Sequence, residues 1–119
     1  MANILCIGTA DATMATRRMI LERAGHSVTE AVDLRQVIAA CESRNFEVAV
    51  LSQTLPDKEK ARVSDTIIRM CDAKILELHT GVAPELPSAD AHLQMTTSAP
   101  EGFLECVNAL ASQPKARGA

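Results

Sequence analysis

Ser52 and His79 are two side chains of this sequence that could act as a nucleophile and its general base. Each follows a short, largely apolar run that is typical of a buried strand. If the two strands are neighbours, about 4.8 Å apart, the hydroxyl and the imidazole could form a hydrogen bond. However, no Gly-x-Ser-x-Gly turn surrounds Ser52, and Asp11 and Asp57 are only loosely placed to orient His79. We therefore favour a polar lining of a cleft, and keep a Ser/His enzyme as the lesser alternative.

The imidazoles of His79 and His92 could also share a metal ion. His79 comes at the carboxyl end of its predicted strand and His92 near the amino end of the next strand. In a parallel sheet these two ends lie on opposite edges, which disfavours a shared ion. The sequence predicts no metal site and no cofactor.

The four cysteines are far apart, and each falls within a predicted strand or helix: Cys6, Cys41, Cys71 and Cys106. They show neither the Cys-x-x-Cys spacing of a zinc site nor the density of a disulfide framework. We predict that they are small core residues of a protein in a reducing compartment.

Length and composition exclude several classes of partner. A chain of 119 residues suits one domain. Phe46 and Phe103 are its only Phe, Tyr or Trp residues, so a base-stacking surface for single-stranded nucleic acid is excluded. Fifteen acidic residues against twelve basic ones argue against binding of a phosphate backbone, so no nucleic acid partner is expected.

The C-terminal third of the chain is acidic. Residues 75–114 contain no Lys or Arg, and their acidic residues are Glu77, Glu85, Asp90, Glu101 and Glu105. This charge pattern predicts a protein partner with a basic or apolar surface.

The first apolar run, residues 4–7, lacks the basic segment, the longer apolar segment and the cleavage site of a secretory signal. No apolar stretch approaches the roughly 20 residues that a membrane span requires. We expect a cytoplasmic protein without a membrane contact.

Predicted strands and helices alternate along the chain. The strands cover residues 4–7, 27–31, 48–51, 75–78 and 91–95. Helices are predicted over residues 11–24, after the capping box of Asp33 and Gln36, after residues 55–57, and after the capping box of Ser98 and Glu101. Gly25 is expected to end the first helix with a positive φ. In the third helix, Lys58, Glu59 and Lys60 are interpreted as a solvated first turn.

This alternation predicts an α/β fold with a parallel sheet that is covered by helices on both faces. Ligands of such sheets bind at the carboxyl ends of the strands. The residues at these ends are Gly8, Thr9, Ser52, His79 and Met95.

The order of elements and four segments resemble the receiver domain of two-component response regulators. The segments are residues 4–7 (ILCI), 18–28 (RMILERAGHSV), 46–51 (FEVAVL) and 55–57 (LPD). The resemblance implies a flavodoxin-like three-layer α/β/α sandwich with five parallel strands in the order 2-1-3-4-5. We assign residues 1–112 to a receiver-like domain, and we expect residues 113–119, which are polar, to form a flexible tail.

The positions that perform phosphotransfer in that family hold other residue types here. By the resemblance, Ser52 stands in place of the phospho-accepting Asp, and Gly8 and Thr9 stand in place of an acidic pair. Mg²⁺ prefers carboxylate oxygens, and a hydroxyl is a weaker phosphoryl acceptor than a carboxylate. We predict neither metal binding nor phosphorylation.

The other positions of that family's site also differ. The resemblance places His79 at the switch Thr or Ser position, Met95 in place of a Lys, and His92 at the aromatic switch position. A lysine left in a pocket without acids would be an uncompensated charge, so losing the acids and the Lys together is electrically consistent.

The resemblance to receiver domains implies a fourth helix between the last two strands. Residues 80–90 at this point contain Gly81, Pro84 and Pro87, so we predict that this helix is shortened or missing. Glu77 lies in the middle of the preceding strand, where a charge is tolerated if nothing covers it. We therefore expect the sheet face around Glu77 to be partly open.

These observations predict an atypical receiver domain that is not an enzyme and acts in two-component signalling as a phosphorylation-independent protein-interaction or regulatory module. The alternative is a small-ligand-binding module that uses a neutral cleft formed by Gly8, Thr9, Ser52 and His79. Neither interpretation sets an oligomeric state.

Overall fold

The computed structural model describes residues 2–9, 12–81, 86–95 and 100–113. The strands are β1 (Asn3–Ile7), β2 (Ser27–Ala31), β3 (Val48–Leu51), β4 (Lys74–His79) and β5 (Ala91–Gln94). The helices are α1 (Ala12–Arg23), α2 (Leu34–Ser43), α3 (Asp57–Met70) and α4 (Pro100–Ser112). All strand pairs are parallel, in the order β2-β1-β3-β4-β5, so the predicted fold class and strand order are confirmed.

Apolar residues on both faces of the sheet form two cores. On one face, residues such as Val37 of α2 and Ile67 of α3 pack together with Phe46. On the other face, Leu21 of α1 and Phe103 of α4 are buried among residues from the same strands. Every residue of β3 is buried, because this central strand is covered by helices from both sides.

Local signals in the sequence place the helix ends. Asp33 caps α2, where its side-chain Oδ1 accepts a hydrogen bond of 2.9 Å from the Gln36 amide. The Gln36 side chain accepts from the amide of Val32, one residue before the cap. Gly25 follows α1 with a φ of 96°, the left-handed conformation that glycine adopts without strain. Ser98 and residues 114–119 lie outside the described residues. In the part of the chain that is described, each helix is too short or too polar to cross a bilayer.

The connection between β4 and β5 contains no helix within its described residues, 80, 81 and 86–90. It nevertheless covers the sheet, because Leu86 is buried in the core beneath α2 and α3. Glu77 has no exposed surface at all. The expectation of a partly open face around Glu77 was therefore wrong: a short segment with one buried leucine contributes to the cover there.

A disulfide bond joins Cys41 in the last turn of α2 to Cys71 just after α3. Their Cα atoms are 5.5 Å apart, within the usual range for this bond. The prediction that all four cysteines are separate core residues was therefore wrong for this pair. It failed because the two residues are 30 positions apart and meet only when the two helices pack side by side. Cys6 and Cys106 are free thiols.

Candidate functional site at the carboxyl ends of the strands

The ends of β1 and β3 are in direct contact. The Gly8 amide donates to the Ala31 carbonyl at the end of β2, and the Ser52 amide donates to the Ile7 carbonyl at the end of β1. A Cβ atom added to Gly8 would lie 2.5 Å from the Ser52 Cβ, well inside van der Waals contact. The Cβ of Ser52 therefore occupies the space that a side chain at position 8 would need in this arrangement of the two strands.

The Ser52 hydroxyl is the centre of a hydrogen-bond network. Arg17 of α1 is buried, and its Nη1 donates to the Ser52 Oγ at 3.1 Å while its Nη2 donates to the Gln53 Oε1 at 2.6 Å. On the other side, the Ser52 Oγ lies 3.0 Å from the Thr54 Oγ1 and accepts from the Thr54 amide. The exposed Thr9 joins this network through its amide, which donates to the Thr54 Oγ1. The guanidinium group thus brings a positive charge to the centre of the candidate site.

Arg17 was missed by the sequence analysis. It lies three residues after Met14 and four residues before Leu21, and all three residues are buried on one face of α1. This spacing was the available signal, because a charged residue within a buried helical stripe has to reach a polar partner. The sequence predicted a neutral cleft. This prediction was wrong, because the Arg17 guanidinium lies in the cleft.

A Gly8→Ala substitution tests the contact between β1 and β3. We expect it to lower the free energy of unfolding by about 1–3 kcal/mol, because the new methyl group would push on a backbone that is hydrogen-bonded on both sides. Urea denaturation measures the effect. Gly102→Ala is the control, since nothing lies within 4 Å of a Cβ there and alanine should be neutral or stabilising within α4. An equal loss for both variants would mean that Gly8 and Ser52 are not in contact.

His79 does not pair with Ser52. Its Nδ1 lies 3.1 Å from the Gly81 carbonyl oxygen, and the side chain of Gln94 donates to the same oxygen. The Ser52 hydroxyl accepts a hydrogen bond from Arg17. Ser52 and His79, the predicted nucleophile and base, therefore each bond to a different partner among the described residues. At the end of β5, the Met95 amide donates to the His79 carbonyl at 2.8 Å, so Met95 lies at the same edge of the sheet.

Three ionisable side chains meet at Glu77, below this edge. The Glu77 Oε2 lies 3.1 Å from the Lys60 ammonium, and its Oε1 lies 2.8 Å from the His92 Nδ1. Lys60 also donates to the Leu78 carbonyl at 2.9 Å, and the Leu86 amide donates to the Glu77 Oε1. The carboxylate therefore joins α3, β4, β5 and the connection between the two strands.

The structure of this cluster shows that two predictions from the sequence, for Lys60 and for His92, were wrong. Lys60 was expected in a solvated turn, but it is buried, because it reaches back from α3 to the carboxylate on β4. His92 was expected at the opposite edge from His79, but β5 pairs with the last residues of β4, so His92 is beside Glu77 and Gln94 is beside His79.

Solved structures similar to this chain include receiver domains of two-component systems. The chemotaxis protein CheY4 of Vibrio cholerae has a TM-score of 0.79 and 21% identity, over 92% of this chain and 98% of that chain. A response regulator from Clostridium difficile has a TM-score of 0.79 and 17% identity, over 92% and 95% of the two chains. A receiver domain of a sensor histidine kinase from Pseudomonas aeruginosa PAO1 has a TM-score of 0.73 and 13% identity, over 94% and 98%. No family model and no curated protein matches the sequence. The chain has the CheY-like receiver fold.

The Pseudomonas receiver domain coordinates a magnesium ion in its active-site cleft. We therefore compared the residues at the corresponding place in this chain with the ligands that Mg²⁺ prefers. The residues at this site do not fit it. Gly8 offers no side chain, and the Ser52 hydroxyl already accepts from the Arg17 guanidinium, a cation that would repel a second one. Among the described residues, no group of three or more His, Cys, Asp or Glu side chains could hold a metal ion.

Proposed function

We propose that this chain is an atypical receiver domain that is not phosphorylated and that serves two-component signalling as a protein-interaction or regulatory module. The proposal includes no enzymatic activity and places the protein in the cytoplasm. The observation that supports it is the bond between the buried Arg17 guanidinium and the Ser52 hydroxyl.

Phosphoryl transfer in a receiver fold needs a nucleophile, a metal ion and a cation that offset the charge of the transferred group. Here the acceptor position is an alcohol, and the His79 imidazole, the base that the sequence placed nearest to it, bonds to the Gly81 carbonyl instead. The Arg17 side chain is fixed by hydrogen bonds to Ser52 and Gln53. A buried guanidinium with two directed bonds holds the loop after β3 in one arrangement, with no need for a phosphoryl group.

The surface offered to a partner includes exposed acidic residues of α4. Glu101 and Glu105 are exposed on this helix, one turn apart, and α4 carries no basic residue in its last turn. Glu77 was counted with this acidic surface, but it is buried and paired, so it does not contribute. We propose a partner that presents basic or apolar residues to α4, which agrees with the low number of positive charges in this part of the chain.

A phosphorylation experiment tests the proposal. The protein is mixed with Mg²⁺ and then with acetyl phosphate or beryllofluoride, and its amide resonances are followed by NMR. We expect no saturable shift at Ser52, Gln53 or Thr54 and no gain of a phosphoryl mass, because the carboxylate ligands and the carboxylate acceptor are missing. A phosphoryl adduct on Ser52, or saturable shifts with Mg²⁺, would contradict the proposal.

The Ser52→Asp variant is the matched comparison for that experiment. It restores the acceptor carboxylate alone, next to the guanidinium of Arg17. We expect the new carboxylate to pair with Arg17 and to remain unphosphorylated, because Gly8 and Thr9 still provide no acidic ligand for Mg²⁺. If this variant is phosphorylated readily, Ser52 alone accounts for the inactivity, and Arg17 has no part in it.

A further inference from the structure

The Cys41–Cys71 disulfide crosslinks two helices that pack on the same face of the sheet. Cys71 is buried at the carboxyl end of α3, whereas Cys41 is half-buried in the last turn of α2. The bond therefore joins one buried cysteine, Cys71, to one that is partly exposed to solvent, Cys41.

The two crosslinked helices have other anchors on the sheet. Helix α2 is anchored by the buried Val37, and α3 is anchored by the buried Val63 and Ile67. Lys60 fixes the first part of α3 to β4 through its bonds to Glu77 and Leu78. Both helices therefore keep their contacts with the sheet when the disulfide is absent, so a folded reduced form can exist.

The remaining cysteines do not compete for the same chemistry. Burial raises the pKa of the Cys6 thiol to about 12, so this thiol forms almost no thiolate, which is the reactive species. Cys106 lies on α4, which packs on the opposite face of the sheet from Cys41 and Cys71.

We propose that Cys41 and Cys71 form a reversible thiol–disulfide site through which low-molecular-weight thiols control the position of α3 and of the Ser52 turn that precedes it. The inference rests on the proposed cytoplasmic function, because disulfides in the cytoplasm are usually transient and redox-sensing. It adds a regulatory input to a module that phosphorylation does not control.

The exchange is a balanced two-electron reaction. In reduction, the thiolate of a small thiol attacks the Cys41 sulfur, which forms a mixed disulfide there and releases Cys71 as a thiolate that takes up a proton. A second small thiolate attacks the sulfur of the small molecule in that mixed disulfide, which releases Cys41 and one small-molecule disulfide. Oxidation runs through the same steps in reverse.

Helix α3 connects this site to the Ser52 turn. The turn after β3 is closed by a hydrogen bond of 3.2 Å from the Leu55 amide to the Ser52 carbonyl, and α3 begins two residues later at Asp57. The helix has 14 residues and spans about 20 Å, with Cys71 at its other end. When the bond is cut, the two sulfur atoms move to a non-bonded distance, and α3 tilts about its Lys60 contact with β4, so that a displacement at Cys71 also moves Asp57 and the turn that precedes it.

The test equilibrates the folded protein in buffers with a graded ratio of reduced to oxidised glutathione. Alkylation followed by peptide mass analysis counts the free thiols, and NMR follows the amides of Ser52, Gln53 and Thr54. We expect Cys41 and Cys71 to become alkylated together as the ratio rises, to return to the disulfide when it falls, and to shift the turn amides in parallel. Cys6 should stay unlabelled in the folded protein.

The control is a matched pair of double variants. Cys41→Ser/Cys71→Ser should show no redox-dependent shift, whereas Cys6→Ser/Cys106→Ser should respond as the unchanged protein does; circular dichroism checks that both are folded. The proposal is overturned if the pair is reduced only after denaturation, if it stays reduced at every ratio, or if it cycles without moving the turn amides. These results do not depend on the Mg²⁺ and acetyl phosphate experiment, so each proposal can fail alone.

Discussion

Replacement of Glu77 by Gln should lower the free energy of unfolding by about 3–5 kcal/mol, because it leaves the buried Lys60 ammonium without its carboxylate. Lys60 and Glu77 are 1% and 0% exposed, so water cannot compensate either charge. Lys60→Met should cost a similar amount, since it removes the cation that balances Glu77. Urea denaturation of each variant measures the change.

A double variant separates the charge effect from loss of packing. Lys60→Met/Glu77→Gln removes both charges but keeps a side-chain oxygen for the Leu86 amide and the His92 imidazole, and we expect it to recover most of the loss of either single variant. The half-exposed pair of Arg18 and Glu22 on α1 is the control, where Glu22→Gln should cost no more than about 0.5 kcal/mol. If Glu77→Gln were as mild as that control, the carboxylate would have to be hydrated, and the covered sheet face described above would be wrong.

Removal of the disulfide should have the next largest effect on stability. The bond closes a loop with a sequence separation of 30 residues, for which the chain-entropy model gives a stabilisation of roughly 3–4 kcal/mol. The oxidised protein should therefore lose that amount in the Cys41→Ser/Cys71→Ser variant. Thermal and urea unfolding, with and without a reducing agent, measure it.

The reducing agent supplies an internal check. Under reducing conditions the unchanged protein and the double variant should have nearly equal stability, because neither contains the crosslink. Cys106→Ser, which removes a half-buried free thiol, should leave the difference between oxidised and reduced protein intact. A stability that does not change on reduction would show that the crosslink contributes nothing to the folded state.

The sequence alone determined the fold. Strands such as β3 and helices such as α2 are specified by neighbouring residues, through runs of apolar side chains, helical spacing and the Asp33 cap. The lack of a helix in residues 80, 81 and 86–90, the described part of the connection between β4 and β5, also agrees with a local signal, because Gly81, Pro84 and Pro87 oppose helix formation. The residue types at positions 8 and 52, Gly and Ser, are read directly from the sequence, so they too needed no structure.

Only the tertiary structure decided which long or reactive side chains meet. Arg17 and Ser52 are 35 positions apart, Lys60 and Glu77 are 17 apart, and Cys41 and Cys71 are 30 apart. Lys60 has the sequence context of an exposed turn, and Glu77 that of an exposed face, yet each is buried because the other neutralises it. Such pairs depend on how α1, α2 and α3 pack against the sheet. Periodicity indicates which face of a helix is buried, but not which residue of another element that face contacts. The contacts at the centre of the site are therefore known only from the tertiary structure.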